Sequence, residues 1–161
     1  MKARILILNS ILFICASAFA QNKACDEVFK KYASKKGFTL INIPGLALKF
    51  FVHDKTDPDF KLTYFRMISA EDSAVNANIN FYDEIMPKIN RDDYKEMISV
   101  KEKNQNFILL CKQKNDKITE FILISGGKEN LLVNFVGRIS LSDMFKVSQT
   151  LSEADNLKEI E

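Results

Sequence analysis

The sequence predicts an α+β domain in which an antiparallel or mixed sheet of about five to seven strands carries three or four helices, mainly on one side. The prediction rests on three apolar runs near the C-terminal end, which short polar clusters separate. They are Phe107–Cys111, Ile118–Ile124 and Leu131–Val136. Together with a strand at 98–102, these runs predict a C-terminal meander of four strands, because such short connections join only antiparallel neighbours.

The elements of the first half follow from the period of the apolar residues. Ala24 to Lys36 has the apolar stripe of an amphipathic helix, and residues 38–43 and 60–68 have the patterns of strands. Residues 46–52 are too few for the period to decide between helix and strand. We favour a helix there, because Pro44 suits its first turn.

Two more helices complete the prediction, and the inward sides of all elements should meet. Residues 73–86 predict a single helix that ends at Pro87, and Ser140 caps the start of a last helix. Helices and sheets of this size are stable only where their apolar faces pack together, so we expect one core cluster. Its predicted members are Phe29, Tyr32, Ile41, Phe81, Ile85, Leu109, Ile122, Leu131, Val133, Phe135 and Phe145.

The composition indicates one globular domain with no electrostatic preference for a polyanion. The chain has 161 residues, of which 47% are hydrophobic, enough for one well-buried core. Its 23 basic and 21 acidic residues balance once Lys2 and Arg4 are removed. A neutral surface gives neither nucleic acid nor an anionic membrane an electrostatic reason to bind, and we exclude both as partners.

Residues 1–20 have the pattern of a cleaved export signal. A basic start precedes an apolar segment that is too short to span a bilayer, and Ala18-Phe19-Ala20 is an A-x-A cleavage motif. We therefore expect a signal peptide at 1–20, one domain at 21–152 and a flexible polar tail at 153–161. The mature protein is predicted to be periplasmic or secreted, without a transmembrane anchor after cleavage.

Two cysteines remain after the leader, Cys25 and Cys111, in a compartment where disulfides persist. Both belong to apolar patterns, so buried free thiols that act as small apolar residues are favoured over a disulfide. The disulfide requires the first helix to lie on the sheet face that carries Cys111. A nucleophilic cysteine is disfavoured, as is lipidation of Cys15 or Cys25.

A polar loop carries the metal candidates of the chain, which are His53, Asp54, Asp57 and Asp59. Oxygen ligands at alternating positions suit a hard cation. The residue order of an EF-hand is missing, however, and zinc would need more His or Cys ligands. A solvated turn explains the same residues and is favoured, and we predict no cofactor.

No motif predicts catalysis. Gly126-Gly127-Lys128 lacks the spacing of a phosphate-binding loop and joins two strands, so it predicts a hairpin turn. The sequence favours a non-catalytic interaction or ligand-binding module over the alternative, a small periplasmic hydrolase or redox enzyme that uses a cysteine or His53. The partner would be a protein or a small apolar ligand of the envelope. The candidate ligand-binding residues are Phe50, Phe51, Tyr64 and Phe65.

A series of motifs spans nearly the whole mature chain in a specific order. After the A-x-A signal come Phe29–Tyr32, Gly37–Ile43, Phe81–Glu84, Tyr94–Lys101, Ile118–Gly127 and Gly137–Leu141. This order resembles the family called domain of unknown function 4252, whose members are exported proteins of Bacteroidetes. The resemblance implies the location and size of the protein and implies no activity, cofactor or catalytic residue. The segment before Phe60 is shorter than in typical members.

Overall fold

The structure is a computed structural model that describes residues 22–47 and 61–139. The strands in this part are β1 (Phe38–Pro44), β2 (Lys61–Ala70), β3 (Lys95–Glu102), β4 (Gln105–Lys114), β5 (Lys117–Gly127) and β6 (Leu131–Ile139). They form one sheet in the order β1-β2-β6-β5-β4-β3. Every neighbouring pair is antiparallel. The predicted α+β class and the C-terminal meander are confirmed, and β1 and β2 join the sheet as an antiparallel pair.

The helices are α1 (Lys23–Tyr32), α2 (Ser73–Asn76) and α3 (Phe81–Ile85), with 3-10 turns at Met86–Lys88 and Arg91–Asp93. The prediction of a single helix over 73–86 is wrong. Asparagine side chains compete for backbone hydrogen bonds, and Asn80 ends the first helical segment by capping a second one, with its Oδ1 accepting from the Asp83 N–H at 3.2 Å. The second helix ends before Pro87, as predicted.

The helices α1 and α3 pack on one face of the sheet, which we call the inner face. Buried side chains from both helices, such as Phe29 and Phe81, meet the sheet there. Tyr32 and Phe81 also touch through their rings, with centroids 5.4 Å apart. The strand residues buried in this cluster are Ile68, Ile108, Leu110, Ile122, Ile124 and Leu132.

The opposite face, which we call the outer face, has a second and smaller cluster. Its buried members are Leu62, Cys111, Ile118 and Phe135. The prediction of one core is therefore wrong. Leu109, Leu131 and Val133 are only half-buried, and Ile41 is 37% exposed. A continuous apolar run such as Phe107–Leu110 supplies side chains to both faces and does not indicate which face the helices cover.

Several predicted elements lie wholly or partly outside the described residues. Residues 45–47 are helical, and the rest of the helix predicted over 46–52 is not described. The predicted signal peptide, the last helix from Ser140 with Phe145, and the polar tail also lie outside. In the described ranges, no helix is long and apolar enough to cross a membrane.

Candidate functional site

An open groove lies at one end of the sheet, where the β3–β4 and β5–β6 turns face the segment that contains α2 and α3. Its volume is about 1220 Å³. Carboxamides are the most frequent type of side chain among the described lining residues, and we call it the amide groove. These side chains belong to Asn76, Asn78, Asn80, Asn104, Gln105 and Asn106.

Two adjacent glycines allow the walls of the amide groove to approach each other. A Cβ atom on Gly126 would lie 2.5 Å from the Tyr82 backbone nitrogen and closer still to Asn80 Oδ1. Gly127 has φ +126°, a conformation that L side chains rarely adopt, and a Cβ there would collide with the Asn104 carbonyl oxygen. The hairpin turn predicted at this sequence thus also forms the floor of the groove.

A buried asparagine fixes the walls of the groove to each other. Asn130 is 2% exposed, and its Oδ1 accepts from the Phe81 N–H at 2.8 Å. Its Nδ2 donates to Asn76 Oδ1 at 3.0 Å and to the Gly127 carbonyl oxygen at 3.1 Å. These bonds connect α2, the start of α3 and the β5–β6 turn, so the groove is a pre-formed feature of the fold.

The lining contains both side chains that are hydrogen-bonded and side chains that have no partner in the described part of the chain. Gln105 is occupied, because its Nε2 donates to the Glu129 carbonyl oxygen at 3.0 Å and its Oε1 accepts from the Glu129 N–H at 3.0 Å. In contrast, the side chains of Asn104 and Asn106 have no hydrogen-bond partner within residues 22–47 and 61–139. The charges of the lining balance, with Lys103 and Lys128 against Asp83 and Glu84.

A chain of buried polar side chains crosses the inner face beneath the start of α1. At one end lies Glu120, which is 5% exposed. It accepts from the Tyr94 hydroxyl at 2.7 Å and from Asn134 Nδ2 at 2.9 Å. Burial raises the pKa of Glu120 above its ordinary value, although both hydrogen bonds favour the ionised form.

The buried polar chain continues from Asn134 to α1. Asn134 Oδ1 accepts from the Tyr64 hydroxyl at 2.9 Å and from Arg66 Nη2 at 3.0 Å. Arg66 Nη2 also pairs with Asp26 Oδ1 at 2.6 Å, and its guanidinium lies 4.4 Å from the centroid of the Phe29 ring. Most of these groups bond to one another, and the chain ties α1 to the sheet. Arg66 Nε is buried without a hydrogen-bond partner in the described residues.

The structure separates the predicted ligand-binding residues that it describes. Tyr64 belongs to the buried polar chain on the inner face, and burial raises its pKa to about 12. Phe65 follows it on the strand and packs on the outer face, beside the second cluster. Phe50 and Phe51 lie outside the described residues, so the predicted site stays a prediction.

The predicted metal loop with His53, Asp54, Asp57 and Asp59 also lies outside the described residues. No group of three or more His, Cys, Asp or Glu in the described ranges is placed to hold a metal ion. The metal prediction therefore stays a prediction.

Cys25 and Cys111 are both buried free thiols. Cys25 lies in the inner cluster and Cys111 in the outer cluster, so the sheet separates them. Burial raises the pKa of both thiols, which keeps them protonated at neutral pH. The structure therefore does not bring Cys25 and Cys111 together as the predicted alternative, a disulfide, would require.

The sequence did carry signals for the residues that our predictions missed. The amides of the groove come from two runs, Asn76-Ala77-Asn78-Ile79-Asn80 and Asn104-Gln105-Asn106. Glu120 and Asn134 each interrupt an apolar strand. A polar residue on the covered face of a strand must find a hydrogen-bond partner, and these two find each other.

The family described as domain of unknown function (DUF4252) matches residues 29–147. The chain belongs to this family. The range that matches DUF4252 contains every residue of the amide groove, and it contains the buried polar chain except Asp26. The description of DUF4252 assigns no activity. No curated protein and no solved structure matches the chain significantly.

Proposed function

We propose that this DUF4252 protein is an exported, non-catalytic binding module of the periplasm or cell exterior, and that its amide groove takes a neutral oligosaccharide. One observation carries the proposal. The groove is lined by carboxamides, some of them without a partner in the described residues, and its charges balance. A neutral ligand that is rich in hydroxyl groups suits such a lining.

The chemistry of the carboxamide supports a sugar as the ligand. Each Asn or Gln side chain offers both a donor and an acceptor, as does each sugar hydroxyl. Asn104 lies in the β3–β4 turn and Asn106 near the start of β4. Asn78 and Asn80 line the groove from the segment that contains α2 and α3. Asn130 fixes the α2–α3 segment to the β5–β6 turn. The Lys128 N–H in turn donates to the Asn104 carbonyl oxygen at 3.1 Å, so little ordering entropy is lost when the ligand binds. The polar lining suits a sugar better than the small apolar ligand predicted from the sequence.

A non-catalytic role is supported by the state of the reactive side chains. A nucleophilic cysteine needs an accessible thiolate, whereas Cys25 and Cys111 are buried and protonated. The buried carboxyl group of Glu120 is occupied by Tyr94 and Asn134. The described residues therefore offer no observation that favours the hydrolase or redox alternative.

Export is supported by the position of the first helix. Asn22 caps α1 with its side chain, which accepts from the Ala24 N–H at 3.0 Å. Cleavage after Ala20 would leave this cap intact and the mature chain would begin at Gln21. The mass of the protein isolated from the envelope fraction of the native cell tests this. Full-length protein in the cytosol would contradict export.

Calorimetric titration with neutral hexasaccharides tests the ligand class. We would use chitohexaose, maltohexaose and cellohexaose, and a neutral hexapeptide as a comparison. The double variant Asn104→Ala/Asn106→Ala should bind the active sugar at least about tenfold more weakly, because it loses two hydrogen-bonding side chains. Asn42→Ala, at an exposed position on β1, is the matched control and should bind as the wild type does.

Two results would contradict the proposal. The first is that none of the three sugars produces heat of binding while the peptide does. The ligand class would then be a peptide and not a sugar. The other is a sugar affinity that the double variant leaves unchanged, which would place the site elsewhere.

A further inference from the structure

Within the described residues, the strand β3 is a free edge of the sheet with an exposed apolar centre. There it pairs with β4 alone and stands last in the strand order. All of its residues from Lys95 to Glu102 are exposed. Met97, Ile98 and Val100 are exposed by 46%, 49% and 44%. An exposed edge strand is a template for pairing with another strand, and this one lacks a proline that would block it.

The pairing of β3 with β4 contains a bulge at Met97. Glu96 lies opposite Leu110 and Ile98 lies opposite Leu109, so Met97 is an extra residue on β3. The bulge shifts the alternation of side chains by one position. As a result, Glu96 and Lys101 project from the inner face, whereas Lys95, Ile98, Val100 and Glu102 project from the outer face.

We propose that two copies of this chain form a dimer by antiparallel pairing of their β3 strands about a two-fold axis at Ser99. In this register, Ser99 lies opposite Ser99 of the second copy, and Ile98 lies opposite its Val100. The interface is isologous, so each contact occurs twice. The two sheets join into one, and the exposed apolar side chains of both outer faces become neighbours.

The bulge makes the charges of the two copies complementary. Because Met97 takes up one residue, Glu96 falls opposite Lys101 of the second copy. Within its own chain, Glu96 also forms an exposed ion pair with Arg91. Lys95 then falls opposite Glu102. Both pairs match in face as well as in charge, since cross-strand neighbours project from the same face of a sheet. The charged ends of β3 thus select a second copy in this register.

Regular ladders without the bulge would bring like charges together. With the two-fold axis at Ser99, such a ladder would place Glu96 opposite Glu102 of the second copy. With the axis at Ile98, it would place Lys95 opposite Lys101. Like charges directly opposite each other destabilise a strand pair. The other edge strand, β1, is less suited to pairing, because it ends in Pro44, which has no N–H to donate.

Sedimentation velocity of the mature protein over a range of concentrations tests the dimer. We expect a reversible monomer–dimer equilibrium that weakens as the salt concentration rises, because the ion pairs are exposed. The variant Lys101→Glu should weaken the dimer about tenfold, since it places two like-charge pairs in the interface. Adding Glu96→Lys should restore the affinity, because the swapped charges are again complementary.

The control for these variants is Lys114→Glu, at the exposed end of β4, which should leave the equilibrium unchanged. A second experiment traps the register itself. Ser99→Cys should form a disulfide-linked dimer on mild oxidation, since directly opposite residues have Cα atoms within the range of a disulfide. Asn42→Cys on the β1 edge should cross-link much more slowly.

Three results would overturn the proposal. The first is a protein that stays monomeric at every concentration while Ser99→Cys fails to cross-link. The second is a dimer that Lys101→Glu does not weaken or that the double charge swap does not restore. The third is equal cross-linking of Ser99→Cys and Asn42→Cys. Each variant is first checked by circular dichroism, and only variants that retain the fold are compared.

Discussion

Gly126 lies directly beneath Asn80, and a Cβ atom at this glycine would collide with Asn80 Oδ1 and the Tyr82 backbone nitrogen. The variant Gly126→Ala should therefore push the start of α3 away from β5. We expect the free energy of unfolding to fall by about 1–3 kcal/mol, as for other overpacked sites. Urea unfolding measures this change. An unchanged midpoint would show that α3 can move away without lowering the free energy of unfolding.

Asn130 should contribute more to stability than any exposed asparagine. Removal of its side chain in Asn130→Ala leaves the buried Phe81 N–H without its acceptor. We expect a loss of about 2–3 kcal/mol in the free energy of unfolding. Asn42→Ala is the control, since Asn42 is exposed, and should change stability by less than about 0.5 kcal/mol. If Asn130→Ala and Asn42→Ala changed the free energy of unfolding equally, the hydrogen bonds of Asn130 would not stabilise the groove.

Phe135 should be essential to the cluster on the outer face. It is 5% exposed, and Phe135→Ala should cost about 3–5 kcal/mol through lost burial and the cavity that remains. Ile41→Ala, at a position that is 37% exposed, should cost less than half as much. Thermal or urea unfolding of both variants gives the comparison. A loss below about 1 kcal/mol for Phe135→Ala would mean that the outer cluster adds little.

The sequence predicts the sheet better than it predicts the core. The meander follows from short connections between apolar runs, and these limit the strands to antiparallel neighbours. The face of each residue depends on register, which a continuous apolar run does not define. Leu109 and Leu110 are both apolar neighbours, yet only Leu110 meets the helices. The break between α2 and α3 was missed because it depends on the cap made by Asn80.

The sequence shows the amide-rich runs of the candidate site but does not show that they meet in the fold. The amide groove combines Asn76–Asn80 with Asn104–Asn106 and Gly126–Lys128, three segments that only the strand order brings together. The aromatic residues that looked suited to a ligand include Tyr64, which is occupied by Asn134 and Arg66. Composition alone does not distinguish a buried aromatic side chain from one that lines a groove.

Glu120 should make stability depend on pH in a specific direction. Burial raises its pKa above the ordinary value of 4.5, so the folded state binds the proton more tightly than the unfolded state does. The stabilisation that results is complete below pH 4.5 and is lost as the pH rises through the raised pKa. The side chain of the variant Glu120→Gln cannot ionise, so the variant does not lose this stability as the pH rises.

The free energies of unfolding of wild type and Glu120→Gln, measured at pH 4 and pH 8, check this prediction. The stability of the variant relative to the wild type should increase from the lower pH to the higher. Glu120→Gln also alters the bonds to Tyr94 and Asn134, but that effect does not depend on the titration of residue 120. A relative stability that is constant or that falls with pH would contradict the raised pKa.

Chemical-shift mapping tests most directly whether the amide groove is the ligand site. The ¹⁵N-labelled protein would be titrated with chitohexaose, maltohexaose and cellohexaose, each up to about 10 mM, which detects even millimolar affinity. We predict saturable shifts of backbone amides at 78–80, 104–106 and 126–128, caused by at least one of the sugars. An absence of saturable shifts with all three sugars, or shifts confined to the outer face, would contradict the account.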